Sequence, residues 1–544
     1  MKNKRVGLAA LAVIGATALA LTGCSSSGSG NDSSSSSGSV NSAGIVTTNG
    51  TEPQNSLIPS NTTETGGGKI INSIFEGLRS YDANGKPVNE IAKSIKTDDS
   101  QNYDITIKSG WTFSNGEKIT AESFTKAWNW AAQFSNAQGA SYYFEGIEGY
   151  DAEKDSELTG LKVVSPTEFT VALDSPESDF PLKLGYSAFV PLPSSFYDDP
   201  EAFGQDPIGN GPYKLASDDA WVHNQKIDLV TNKSYKGTRT PKNGGLTITF
   251  YTSQDTAYSD AQAGNLDVLD QVPDSAFQTY KSDFPDAYTN KPAAIFQAIY
   301  FPYYLDHWKG EEGQLRRAAV SESINRKQIT NKIFEGTRTP ASDFTSPVID
   351  GWSDSLTGSD VLKYDPSDAK KKWAAANKLS DYGDETLTIS YNADGGHEAW
   401  VTAVANSISN TLGVKAEGNA YPTFQQALDV QTNDQLTGGS RTGWQADYPS
   451  LYNFLGPTMG EGSSNNYSRY DSSAYNSLLE KGQAADTTAE GNKDFQQAQE
   501  LLLKDLPEIP LWYSNVTGVW SSNVSNVKFG WDSQPLFYNI TVNK

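Results

Sequence analysis

Cysteine is almost missing from this sequence: Cys24 is the only one in 544 residues. No disulfide can therefore form within the chain. Two methionines and three histidines leave too few soft ligands for a thiolate or imidazole metal centre, and no cofactor is expected. Positive charge is also short. Lysine and arginine number 42 against 65 acids, a net charge of −23. Such a chain is repelled by nucleic acid and by anionic lipid surfaces, which excludes both as partners. Beyond the first 21 residues no apolar run is long enough to span a bilayer. Enzyme motifs fail one by one. "HEAWV" at 397–401 begins like a zinc-protease helix, but Val401 stands where the second histidine belongs. There is no G-x-S-x-G and no phosphate loop. "DANG" at 82–85 starts like a calcium loop and lacks its downstream ligands. The sequence reads as non-catalytic.

What is present begins with an export signal. Lys2, Lys4 and Arg5 precede an apolar run from Val6 to Leu21, then "LTGC" at 21–24. That run, about 16 residues, suits a signal peptide rather than a membrane span. "LTGC" resembles the bacterial lipobox, which implies cleavage after residue 23 and a lipid on Cys24. A Ser/Gly-rich tether, 24–44, follows. The folded body is then expected outside the cytoplasm, on the outer face of a bacterial cell membrane and tied to it only by lipid.

Length suggests several domains. Strand and helix signals alternate irregularly, which means α/β or α+β. Alternating apolar positions in "YDITIKSGWTFSNG" (103–116) predict a strand and a turn. In "TAESFTKAWNWAAQF" (120–134), Thr120 can cap a helix that buries Phe124, Ala127, Trp128 and Ala131. "LTITFY" (246–251) and "LTISYN" (387–392) predict strands. The spacing predicts helices over 397–413, stopped by Gly413, and over 492–505. No internal repeat and no second linker is visible.

Aromatics make up 11%, with 12 Trp and 27 Tyr, a supply of rigid surface common where organic ligands are held. One stretch raises a question: "GWQADYPSLYNFLGP" (443–457) sets the carboxylate of Asp447 among Trp444, Tyr448, Tyr452 and Phe454. It is either a capped surface turn or an anion held away from water, which needs a cation.

Eight segments, each weak alone, follow one another in a known order: "SLIP" (56–59), "IFEGLRSYDANGKPVNEIAKS" (74–94), "GWTFSNGEKITAESFTKAW" (110–128), "VPLP" (190–193), "IGNGPYKL" (208–215), "RRAAVSESINRKQI" (316–329), "YDPSDAKK" (364–371) and "EIPLWY" (508–513). Together they cover nearly the whole body, and the chain resembles the extracellular solute-binding proteins of the oligopeptide-binding type that serve ATP-driven (ABC) importers. The resemblance implies an α/β, two-lobed, three-domain fold of the periplasmic-binding-protein kind, with mixed sheets and a hinge. Domain I would comprise 45–77, 189–299 and 513–544, domain II the insertion 78–188, and domain III residues 300–512. It implies capture of peptides with a free N-terminus and delivery to the membrane permease subunits of an importer, by a monomer. An oligosaccharide or other small solute is the alternative ligand.

The resemblance also assigns residues. Asp447, in "RTGWQADY" (441–448), matches the aspartate that takes the peptide α-ammonium, flanked by Trp444, a side-chain pocket wall, and Tyr448. Arg441 and His397 match residues near the C-terminal carboxylate of longer peptides. Gly66, Gly67 and Gly68 stand where a main-chain edge would pair with the peptide backbone. Phe334 falls where some members have a lysine, which leaves ligand length open.

Overall fold

Residues 291–300, Lys-Pro-Ala-Ala-Ile-Phe-Gln-Ala-Ile-Tyr, bury side chains on both faces and form an inner strand of a six-stranded sheet. The computed structural model describes residues 40–463 and 465–543; the signal segment, Cys24 and the tether up to residue 39 lie outside them. In strand order this sheet runs Arg338–Pro340, Glu508–Val516, Lys291–Tyr300, Gly439–Gln445, Leu387–Asn392 and Ala416–Tyr421. Lys291–Tyr300 is antiparallel to both neighbours, whereas Leu387–Asn392 is parallel to both of its own. The sheet is therefore mixed.

A second sheet, of seven strands, is built around Ile45–Gly50, which lies parallel to Gly245–Phe250 and to Val268. A third, of four strands, joins Ala92–Lys96, Asn102–Ile107, Glu168–Ala172 and Leu161–Ser165. Its alternation is visible in Asn102–Ile107, where Tyr103, Ile105 and Ile107 are buried and the residues between them are not. Against it packs the helix Ala121–Ala132. Thr120 and Ser123 form its capping box, and Phe124 and Trp128 meet Phe169 at ring-centre distances of 5.9 and 5.6 Å.

The strands expected at 246–251 and 387–392 are present. The helix expected from 397 spans Glu398–Leu412 and ends at Gly413 with φ 76°. The helix expected over 492–505 starts earlier, at Thr488, because Thr487 caps it by accepting from the Glu490 amide. Many aromatics prove to be core. Trp128, Trp400 and Trp512 are among the largest fully buried side chains.

Apolar side chains gather in two clusters. One contains the six-stranded sheet and helices such as Glu398–Leu412 and Thr488–Asp505. The other contains the four-stranded sheet, the Ala121–Ala132 helix and most of the seven-stranded sheet. Ala446 belongs to the first and Tyr448 to the second. Asp447, the residue between them, is where the chain passes from one core to the other.

Candidate ligand-binding site

A cavity of about 450 Å³ lies around this crossing. Its wall is assembled from segments remote in sequence: 62–82, 142, 185–190, 239, 443–447 and 530–538. Register explains how Trp444 arrives there. Gly439–Gln445 pairs antiparallel with the buried Lys291–Tyr300 strand, setting Trp444 opposite Phe296. The Trp444 indole donates to Asn453 Oδ1 (3.2 Å), which also accepts from the Asp447 amide (2.9 Å). Asn453 Nδ2 donates to Asp447 Oδ2 (3.3 Å). One buried asparagine thus holds both the indole and the aspartate loop in place.

Around the carboxylate stand phenols. The Tyr143 ring lies tilted between those of Tyr142 (4.5 Å) and Tyr186 (4.4 Å). Burial raises the pKa of Tyr143 and Tyr186, and the negative charge of Asp447 raises it further; Tyr142 is half exposed. Tyr81 packs against both cores, meets Trp531 edge-on at 5.4 Å and donates to the Leu182 carbonyl. Burial pushes the Asp447 carboxyl above its ordinary value, and Tyr143 and Asn453 offset only part of this. Among the described residues, Asp447 takes part in no ion pair. The cations of the wall are engaged elsewhere. Lys69 pairs with Asp270 at 2.5 Å. Arg239 pairs with Glu76 at 2.9 Å, and Glu76 is still pushed up to about 7 by its burial. Arg79 donates to Asn89 Oδ1 and to the Pro181 carbonyl, both at 3.0 Å.

The structure brings three of the expected ligand residues, Asp447, Trp444 and Gly68, to this one cavity. The glycine segment is not the extended main-chain edge expected of it. Thr65–Ile74 is a helix, and Gly66–Gly68 lie in its first turn. Glu64 caps it by accepting from the Gly67 amide (2.8 Å), and buried Ile70, Ile71 and Ile74 hold it to the core. A Cβ on Gly66 would collide with Thr51 Oγ1, and one on Gly67 with Glu64 Oε1, so these two glycines permit close packing at the helix start. Tyr448 is a core residue with its ring under the Lys183 ammonium, 6.0 Å away, and does not line the cavity.

Arg441 and His397 lie elsewhere. Arg441 precedes Trp444 by an odd number of residues, so the two side chains leave the strand on opposite faces. Its Nε and Nη2 donate to Asn392 Oδ1 at 3.0 and 2.7 Å, and its guanidinium lies over Phe424. His397 accepts from the Trp400 indole at 3.1 Å. A Cβ on Gly395 would touch both His397 and Asn392, which places Arg441 and His397 in one neighbourhood. Phe334 is buried against Trp512 and Arg338.

Residues 86–466 match the model of the bacterial extracellular solute-binding proteins, family 5 (middle region). The chain belongs to that family. Among its relatives, the oligopeptide-binding protein OppA of Bacillus subtilis (strain 168) is 26% identical over 513 residues, 90% of this chain and 91% of its own length. The periplasmic oligopeptide-binding protein OppA of Salmonella typhimurium is 27% identical over 490 residues, 86% of this chain and 87% of its own. The unliganded open form of the murein tripeptide-binding protein MppA superposes with a TM-score of 0.77 at 22% identity, covering 93% of this chain and 99% of that one. Haemophilus influenzae OppA in complex with RPPGFSPFR gives 0.73 at 20% identity, covering 93% and 100%. The multi-domain α/β fold of this family 5 protein is the fold of those structures. The phenols at 81, 142 and 186, the Glu76–Arg239 pair and Asp532 also line its cavity. Glu76 and Tyr81 lie in the 74–94 segment that carries the resemblance, but nothing there marks them as ligand residues, and no motif contains the others.

Proposed function

We propose that this family 5 protein captures peptides outside the cytoplasm and delivers them to an ABC importer, and that Asp447 holds the peptide α-ammonium. The observation that carries this reading is the carboxylate of Asp447: walled by aromatics, raised in pKa by burial, and in no ion pair among the described residues. A primary ammonium supplies the missing charge and several donors at once. The peptide-binding names of its relatives support the same ligand class. Trp444 flanks the first side chains of the peptide. Arg441 and His397, grouped around Asn392, take the C-terminal carboxylate of longer peptides. Gly68, the one of the three glycines that lines the cavity, allows close approach of the ligand to the helix start.

No covalent step is involved. Domains I and II (45–77 with 189–299 and 513–544; 78–188) form one lobe and domain III (300–512) the other, and closure follows from ligand contacts to both. Cys24 carries lipid, the 24–44 tether gives reach, and the monomer works at the outer face of the membrane with the permease subunits as its protein partners.

Titration calorimetry on the refolded body, lacking residues 1–39, tests the reading with a pooled tri- to octapeptide library and a panel of oligosaccharides. Heat from the peptides alone is expected. Heat from oligosaccharides with none from peptides would overturn it.

A further inference from the structure

The cavity holds a second carboxylate that forms no ion pair among the described residues. Asp532 lies half-buried in its wall and follows Trp531, whose ring meets Tyr81. Burial raises the Tyr81 pKa most, and the charges of both Asp447 and Asp532 add to it, so both acids lie within electrostatic reach of Tyr81 in the same wall. Asp532 Oδ1 accepts from the Gln534 amide at 3.1 Å. Arg239 and Lys291 act on Asp532 only from a distance. Lys291 spends its ammonium on the Phe529 carbonyl (3.0 Å), and Arg239 is tied to Glu76. Burial pushes the Asp532 carboxyl up to about 6. Two residues on, the side-chain carbonyl of Gln534 is buried in the same wall with no hydrogen-bond partner among the described residues. This part of the wall thus offers acceptors.

Charge across the cavity points the same way. With Lys69 matched by Asp270 and Arg239 by Glu76, Arg79 is the one cation left among the described residues of the wall, against Glu64, Asp82, Asp447 and Asp532. An α-ammonium on Asp447 still leaves Asp532, with Glu64 and Asp82, against Arg79 alone.

We infer that Asp532 selects peptides carrying a cationic side chain, which reaches the Asp532 carboxylate and the Gln534 carbonyl in the same cavity while Asp447 holds the α-ammonium. This rests on the peptide reading above and narrows its substrate class. Lysine or arginine fits; a glutamate side chain directed there is repelled.

The test is titration of the refolded body with Lys-Ala-Ala, Ala-Lys-Ala and Ala-Ala-Lys against the same peptides with norleucine, which keeps the stem and removes the charge. For at least one position the lysine peptide is expected to bind about tenfold or more tighter, the scale of one charge-assisted hydrogen bond in a desolvated site. In Asp532→Asn the ratio falls towards one, and in Asp532→Glu, which keeps the charge, a preference remains. Equal binding of lysine and norleucine peptides by the unaltered protein overturns the inference while leaving the peptide reading intact, as does an unchanged ratio in Asp532→Asn. No binding of any of the six overturns the peptide reading and this inference with it. The ratio in the unaltered protein needs no variant, so a poorly folding variant does not remove the test.

Discussion

Asp447→Asn should move stability and affinity in opposite directions. In the ligand-free protein the half-buried Asp447 sits among aromatics with Asn453 as its neutral partner. Burial raises its pKa from the ordinary 3.8, so folding with an ionised Asp447 is penalised at neutral pH. The penalty is absent below the unfolded value and grows as pH rises towards the folded one. Asparagine keeps an oxygen to accept a hydrogen bond from Asn453 and removes the charge. At pH 7 the variant should therefore gain stability. Peptide affinity should fall, because the ammonium loses its anion. One charge-assisted hydrogen bond contributes about 1.5–3 kcal/mol, so the loss is roughly ten- to a hundredfold. Urea unfolding of the ligand-free proteins and calorimetry with one free-amine peptide measure the two effects. A variant that loses stability and keeps its affinity would instead make Asp447 a structural residue of the turn before Pro449.

Other perturbations follow from buried groups. Glu508 is 4% exposed, and burial alone pushes its carboxyl from 4.5 up to about 8. Stability should fall as pH rises through that window, by about 3 kcal/mol by pH 7, and Glu508→Gln should abolish this slope; identical urea-unfolding profiles for the two proteins between pH 5 and 8 would contradict it. The Ser450 hydroxyl donates to Asp179 Oδ2 at 2.7 Å, and Asp179 is fully buried with its other oxygen unpartnered among the described residues. Ser450→Ala should cost about 1–3 kcal/mol of stability at neutral pH, read from denaturant midpoints, and no change would show that the bond contributes nothing. Cys24→Ser should move the protein from the membrane fraction to the soluble extracellular one; continued sedimentation with membranes would argue against the lipid anchor.

Much of this fold could be read along the chain because local signals and tertiary packing agree. Thr120 and Gly413 bound helices where capping chemistry says they should, and "LTISYN" forms the expected strand. Asp447 stood out as an acid amid four aromatics, but its local sequence left a capped turn open, and the role came from the resemblance. The glycine segment misleads. Three glycines favour a loop by propensity, but the isoleucines that follow are buried on one face, and that burial fixes the helix. The rest of the cavity wall was illegible for a different reason. Tyr81, Tyr186, Arg239 and Asp532 meet only through tertiary folding, and nothing in the local sequence of each marks it as a neighbour of the others. Tyr448 shows the converse limit. It adjoins Asp447 in the motif, yet the crossing between the two cores turns its ring inward under Lys183.

Anchoring of a peptide amine by Asp447 is tested most directly by calorimetric titration of the refolded body with one peptide in two forms, free at the N-terminus and N-acetylated. Acetylation removes the positive charge and leaves the rest of the ligand unchanged. The free-amine form is expected to bind and the acetylated form to lose roughly ten- to a hundredfold in affinity, with the difference absent in Asp447→Asn. Equal affinity for both forms in the unaltered protein would contradict the claim.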